Sequence, residues 1–216
     1  PDTELFSFTF NGPIIEDKLF FSLGYEKYEA SDPLSLLGFQ SGSVTKAEAD
    51  AVIKAATDVI GYDAGTYNKA REEEDEKIFL RLDANLNENH NLTFSYNLTE
   101  GFTESAYFNR TWGLPLSSNW YRINKEYESM KLELNSNWTD NFSTKILISD
   151  TDVSNPNTPV GATTIGEVGI RVASGGTVFF GPDQYRHANQ IETNRKQYEI
   201  AGYYAVSYTH LRAHET

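Results

Sequence analysis

The chain has 216 residues and no cysteine, with 31 acidic against 18 basic side chains and a formal net charge of −13. The missing cysteines exclude disulfide staples, thiolate metal sites and cysteine nucleophiles. The acidic balance repels nucleic-acid phosphates, no basic patch offsets it, and no run of ~18 apolar residues offers a transmembrane helix.

The length suits a single all-β domain. The chain opens on Pro1 with neither an initiator Met nor a signal-peptide pattern, so its true N-terminus is expected upstream. Phe6, Phe8 and Phe10 alternate with Ser7, Thr9 and Asn11, and Phe21, Leu23 and Tyr25 alternate with Ser22, Gly24 and Glu26. Period two means strands, and the short Pro13–Lys18 segment between them makes an antiparallel hairpin. The pattern returns in Ile78, Leu80, Leu82, Ala84 and Leu86, then in Leu92, Phe94, Tyr96 and Leu98. It returns again in Met130, Leu132, Leu134 and Trp138, and in Phe142, Thr144, Ile146 and Ile148. A last strand, about Lys196 to Ala205, alternates less cleanly. About seven strands result, each near the ~10 residues of a tilted membrane strand.

The connections alternate strictly in length. Pro13–Lys18, Asn87–His90 and Thr139–Asn141 are tight, whereas Lys27–Asp75, Gly101–Lys125 and Asp150–Asn194 are long. An up-and-down meander would gather the tight turns at one end and the long loops at the other, as transmembrane barrels do. The first long loop holds one helix, opened by the capping box Thr45/Glu48 and stopped at Gly61. Its narrow stripe of Val52, Ile53, Ala56, Val59 and Ile60 is expected to fold against its own loop.

The faces then decide between lipid and a protein core. Glu26, Arg81, Asp83, Lys131, Glu133 and Lys145 fall on the inferred inner face, and an inner face so charged suits a watery or plugged lumen rather than a dry core. Phe6, Phe8, Leu80, Leu82, Phe94, Leu132 and Ile146 are expected on the opposite, convex face. Phe20, Phe21, Trp138 and Phe142 at the tight turns, with Tyr25 and Tyr28 on the long-loop side, read as two interfacial girdles. The expected fold is therefore all-β: an open, curved, antiparallel sheet of about seven strands, a partial transmembrane β-barrel with one loop helix. Pattern alone favours this over a soluble β-sandwich.

Several stretches resemble one family. "NGPIIEDKLFFSLGYE" resembles a hairpin of Oar-like TonB-dependent outer-membrane receptors, whose usual form runs Gly-Gly-Pro-Ile-basic-Asp-Lys-Leu-Phe-Phe; Asn11 replaces the first Gly and Glu16 the basic residue. "EKIFLRLDANLNENHNLTFSYN" is similar to the family's next hairpin, and "FGPDQYRHANQIETNRKQYE" to a segment entering a later strand. The likeness runs in order through nearly all of residues 1 to 205. It implies strands from the N-terminal part of a barrel of roughly 22 strands with a plugged lumen. It also implies the outer membrane of a Gram-negative bacterium and uptake of a bulky, unidentified ligand. The partners implied are outer-membrane lipid and, through a plug region outside this sequence, the TonB complex. A passive pore or adhesin barrel, or a soluble carbohydrate-binding sandwich, are the alternatives.

Other apparent sites have plainer readings. Asp150, Asp152 and Ser154 have calcium-loop spacing, but Asn155 and Gly161 stand where Gly and Glu are needed. Glu72–Glu76 reads as a solvated acidic rim. Gly175–Gly176 reads as a hairpin turn between "EVGIRVA" and "TVFFG". His187, Asn189 and Glu192 form no catalytic constellation, and no phosphate loop, triad or zinc motif is present. The chain is thus expected not to be an enzyme and to carry no cofactor. Residues 206–216, with His210 and His214 four apart, resemble one translated frame of a sequencing adapter and are expected to bind no metal.

Overall fold

Alternation along the chain becomes a meander in which every long strand pairs with its neighbour in sequence among the long strands. The computed structural model describes residues 2–186 and 188–206. The long strands are β1 (Asp2–Ile15), β2 (Leu19–Pro33), β3 (Ala70–Asn87) and β4 (His90–Ser105). After the short β5 (Gly113–Pro115) come β6 (Tyr121–Thr139) and β7 (Phe142–Ser154). The short β8 (Asn157–Pro159), β9 (Val168–Arg171) and β10 (Thr177–Phe180) precede the last long strand, β11 (Glu192–Tyr204). The main sheet runs β1-β2-β3-β4-β6-β7-β11, with β8 added beside β6, and every pairing in it is antiparallel. The path does not close, and β1 and β11 are its edges.

The strands are longer than the sequence pattern suggests, at 13 to 19 residues. Segments read as loop, including Lys27–Pro33, Ala70–Asp75 and Tyr121–Lys125, continue the ladder. Alternation fails to announce them because polar residues occupy both faces there, as in Glu72–Glu76, where backbone pairing alone extends the strand. The same continuation absorbs Asp150, Asp152 and Ser154 into β7.

Each tight turn is flanked by a bulge, at Pro13/Ile15, Asn85/Asn87 and Asn137/Thr139. Asp17 takes the left-handed conformation in the first turn, φ 61°, which a short polar side chain tolerates. Asn85 ties that turn to the next strand, its side-chain amide donating to the Asp17 carbonyl at 3.0 Å and its backbone N–H to Lys18 O at 2.7 Å.

At the other end the three long connections build one unit. Within them lie α1 (Leu37–Gln40), α2 (Lys46–Ala55) and a π-turn over Ala56–Ile60 that ends at Gly61, φ 70°. The helix does not fold against its own loop alone. Val52 and Ala56 are buried in a core with Leu114 and Leu116 of the second connection and Val178 and Phe180 of the third, while Val59 and Ile60 stay exposed. A second sheet, β5-β10-β9, joins those two connections, and Gly175 (φ 96°) turns the expected β9–β10 hairpin. This cap is cross-tied: Asn109 accepts from Leu37 N–H at 3.0 Å and donates to Ser35 O at 2.9 Å.

The cap meets the sheet at a fully buried carboxylate. Glu104, near the end of β4, takes Lys69 on one oxygen and Arg122 of β6 on the other at 3.2 Å, and also accepts from Glu72 N–H at 3.2 Å. Lys69 lies 5.5 Å from the centroid of the buried Trp120 ring. Glu104→Ala removes the buried carboxylate but leaves Lys69 and Arg122 the Glu72 carboxylate, at 3.5 and 3.2 Å. It should therefore loosen the junction by about 1.5–3 kcal/mol, the worth of a charge-assisted hydrogen bond, and the check is faster tryptic cleavage after Lys69 and Arg122 in detergent-folded chain.

A second link depends on pH. The Glu48 carboxylate accepts from Thr45 N–H at 2.8 Å and, across the cap, from Ser174 N–H at 2.9 Å. These backbone donors hold it down to about 2, from an ordinary 4.5. A pKa depressed on folding gives stability that is complete above about 4.5 and lost as pH falls through about 2. Hydrogen exchange at the Ser174 amide, corrected for intrinsic rate, should thus stay slow at pH 4 and rise toward pH 2, with the step removed in Glu48→Gln.

Candidate functional site

Two faces of one sheet differ in chemistry, and register shows which residues share each. Paired residues across an antiparallel ladder point the same way. One row runs Phe21–Leu82–Phe94–Leu132–Ile148–Tyr198, and the next toward the tight turns runs Leu19–Ala84–Leu92–Leu134–Ile146–Ile200. All seven side chains expected on the apolar face lie on this side. No described residue of the cap or of the second sheet forms a layer over it: Phe10 is 63 %, Tyr198 73 % and Ile200 82 % exposed. A soluble sandwich would bury these rows against a second sheet.

The upper edge of this apolar band is oblique. Followed away from the tight turns, the first charged residue on this face is Glu4 in β1, Lys27 in β2, Glu76 in β3 and Glu100 in β4. In β6 it is Glu128, in β7 Asp150 and in β11 Lys196. The register row of Glu4 contains Asn124 of β6 and the row of Asp150 contains Met130, so the edge drops six residues along β6. Lys196 shares the row of Asp150, so that is roughly 20 Å of strand rise over six strand spacings of roughly 29 Å in total, an inclination of ~35°. Strands of membrane barrels tilt by ~35–45° from the normal. A slab perpendicular to the barrel axis would cut the rows at that slant.

The band's lower margin is aromatic. Trp138, Phe142 and Tyr204 sit at the tight-turn end, where the His90 and Trp138 rings lie 4.9 Å apart and Trp138 Nε1 donates to Thr144 at 2.8 Å. Phe21 and Tyr25 are on the same face, but Phe20 and Tyr28 are not. Phe20 shares a row with Asp83, and Tyr28 with Asp75. Adjacent residues, and residues three apart, must point to opposite faces of a strand, so neither belongs to the girdle.

Glu26, Arg81, Asp83, Lys131, Glu133 and Lys145 all lie on the opposite face, and they are paired. Arg81 grips Asp83 through Nε at 2.7 Å and Nη2 at 2.9 Å, and Thr93 donates to the same carboxylate at 2.7 Å. Glu133 accepts from Asn135 at 3.0 Å and pairs with Lys131 at 2.9 Å and Lys145 at 3.9 Å. Glu26 stands apart from this group, bonded to Lys77 at 2.7 Å. Lys145 reaches on to Glu199 of β11 at 3.5 Å, a partner that weak alternation in the last strand hid. Leu147 lies among these charges, buried.

The remaining readings resolve locally. Glu72, Glu73, Glu74 and Asp75 are spread over both faces of β3 and paired with Lys69, Arg122, Lys125 and Lys27. Asp150 pairs with Lys196 at 3.2 Å. Asn189 accepts Asn157 N–H at 2.7 Å through its carbonyl, and Glu192 begins β11. His187 lies outside the described residues, as do His210, His214 and the rest of the tail beyond Val206, which itself lies past the end of β11. Among the described residues no three His, Cys, Asp or Glu side chains come together as a metal site, and no helix is long and apolar enough to cross a membrane.

No family model matches the chain, and no curated protein does. A solved structure with some likeness is the open form of the ferric-catecholate import receptor Fiu from E. coli K12, at 11% identity and a TM-score of 0.28. The match covers 94% of this chain and 45% of that receptor, so the chain spans under half its length. At that identity and score the likeness is too slight to bear on function.

The slanted edge makes a depth prediction. Leu80 and Asp150 lie in one hydrogen-bonded row on one face, yet only Leu80 is inside the band. In lipid, Leu80→Arg should cost about 2–4 kcal/mol and Asp150→Arg no more than about 1. Urea titration of vesicle-inserted protein reads the difference, and a band parallel to the rows would make the two costs equal.

Proposed function

We propose that this chain is part of an outer-membrane β-barrel of the TonB-dependent receptor kind, its apolar face toward lipid and its charged face toward the lumen. The single observation that supports this best is the apolar band itself: uncovered by any described residue and slanted by ~35° to the hydrogen-bonded rows. Nothing in a soluble sheet requires that slant. Bulged tight turns at one end and long connections at the other agree with it, as does the open path from β1 to β11, which leaves both edges for further strands.

In this reading the chain works by wrapping. Tilted strands satisfy every interior backbone group within the ladder, as a bilayer demands, and the paired charges line a wet interior. The compact cap lies on the cell exterior, where a bulky ligand would first meet the receptor. The transported ligand, the plug and the contact with the TonB complex lie with the rest of that protein. Their assignment rests on the likeness of the segments around Pro13, Arg81 and Gly181 to Oar-like receptors.

The test uses adjacent residues of β6. Leu132 is half-exposed in the apolar band, whereas Glu133 lies on the polar face among half-exposed ion pairs. Leu132→Arg should cost roughly 2–4 kcal/mol of folding into lipid vesicles. Glu133→Gln should cost about 1 kcal/mol, because the carboxylate is mostly covered but both lysine partners reach solvent. Heat-modifiable gel mobility measures both, and equal sensitivity at the two positions would overturn the assignment of faces.

A further inference from the structure

We propose that the loop cap carries a binding site for a ring-bearing anion, a compound with a flat apolar face and a carboxylate or sulfate at its edge. The site begins with a stack. Phe108 of the second long connection and Phe179 of β10 lie face to face, centroids 4.1 Å apart and planes 9° from parallel, and both are buried. Three rings surround this pair: Trp112, 6.1 Å from Phe108 and 6.0 Å from Phe179, Tyr107 edge-on at 5.1 Å from Phe108, and Tyr185 at 5.5 Å from Tyr107. The buried pair suffices to join the two connections. The outer rings go further, since Trp112 is 50 % and Tyr185 56 % exposed. Large rings left in water beside a rigid aromatic base make the sort of surface that ligands and partners anchor on.

The second observation is charge. Two guanidiniums converge on one ring, Arg110 at 5.5 Å and Arg186 at 5.2 Å from the Tyr107 centroid. A guanidinium held over a ring by its charge keeps N–H donors to offer to another group. Among the described residues neither guanidinium enters an ion pair or a side-chain hydrogen bond, although the chain carries 31 acidic residues and most of its other strand and cap cations are paired. Two guanidiniums gathered on Tyr107, whose ring lies 5.5 Å from that of exposed Tyr185, complement an anion that also stacks. An acidic saccharide and an aryl carboxylate share this chemistry. The site is a property of the cap; its use in uptake rests on the receptor reading above.

The experiment uses the complete barrel protein of which this chain is proposed to be part, folded in detergent micelles and, in parallel, inserted into vesicles. Trigalacturonate, 2-naphthoate and neutral maltotriose are titrated by calorimetry. Saturable binding of one or both anions, absent for maltotriose, is expected, and the two anions tell the saccharide from the aryl source. Arg110→Gln with Arg186→Gln should weaken that binding roughly tenfold or more, the loss of at least one charge-assisted bond, and Trp112→Leu should weaken it while leaving far-UV dichroism unchanged. Absence of saturable anion binding, or binding indifferent to both arginine changes, overturns the proposal. Vesicle insertion is read on the same samples: binding without insertion sinks the receptor reading alone, and insertion without binding sinks the site alone.

Discussion

The main sheet has to remove an apolar face from water, and no described part of the chain does it. Rows such as Phe21–Leu82–Phe94–Leu132–Ile148 would drive aggregation of a soluble sheet. Backbone pairing can hold the ladder together, but it gives this face no partner. Whatever covers the band therefore decides whether the meander is stable; in the reading proposed above, that cover is lipid.

Two ways of burying apolar surface stand side by side in one chain. The cap has an ordinary protein core, in which Leu114, Leu116, Val178 and Phe180 pack on Val52 and Ala56. Among the described residues the apolar face of the sheet has no such core, so the order of the sheet comes from its hydrogen-bonded rows. Between them Glu104, with Lys69 and Arg122, anchors the ends of β4 and β6 to the start of β3. A buried carboxylate served by two cations stabilises modestly but resists any other arrangement, because each alternative strands a charge.

The polar face works through register more than through energy. In Arg81–Asp83 and Lys131–Glu133 the cation is half-exposed and the carboxylate more covered, and pairs open to solvent on one side contribute ~1 kcal/mol. A slip of one residue, however, would carry those charges into the apolar band and Leu82 and Leu132 onto the polar face. Bulges at all three tight turns fix where each strand starts and so help exclude the slip.

The sequence by itself determined that the long strands exist, the faces of most of their side chains, and which connections are short and which long. Period-two alternation reports side-chain direction directly, and the six polar residues from Glu26 to Lys145 share a face for that reason alone. Local rules also sufficed for the Thr45/Glu48 box and the Gly175 turn, since each involves neighbours in sequence. Tertiary structure decided what distant segments do together. Polar stretches such as Glu72–Glu76 became strand because a partner strand was there to pair with, which composition does not reveal. The helix found its core in two other connections, the rings of Tyr107, Phe108, Phe179 and Tyr185 met across more than seventy residues, and Glu104 gained its cations from both sides. The slant of the apolar band is likewise invisible along one strand: it exists only across registers, where hydrogen bonding between strands sets how far each is shifted against the next.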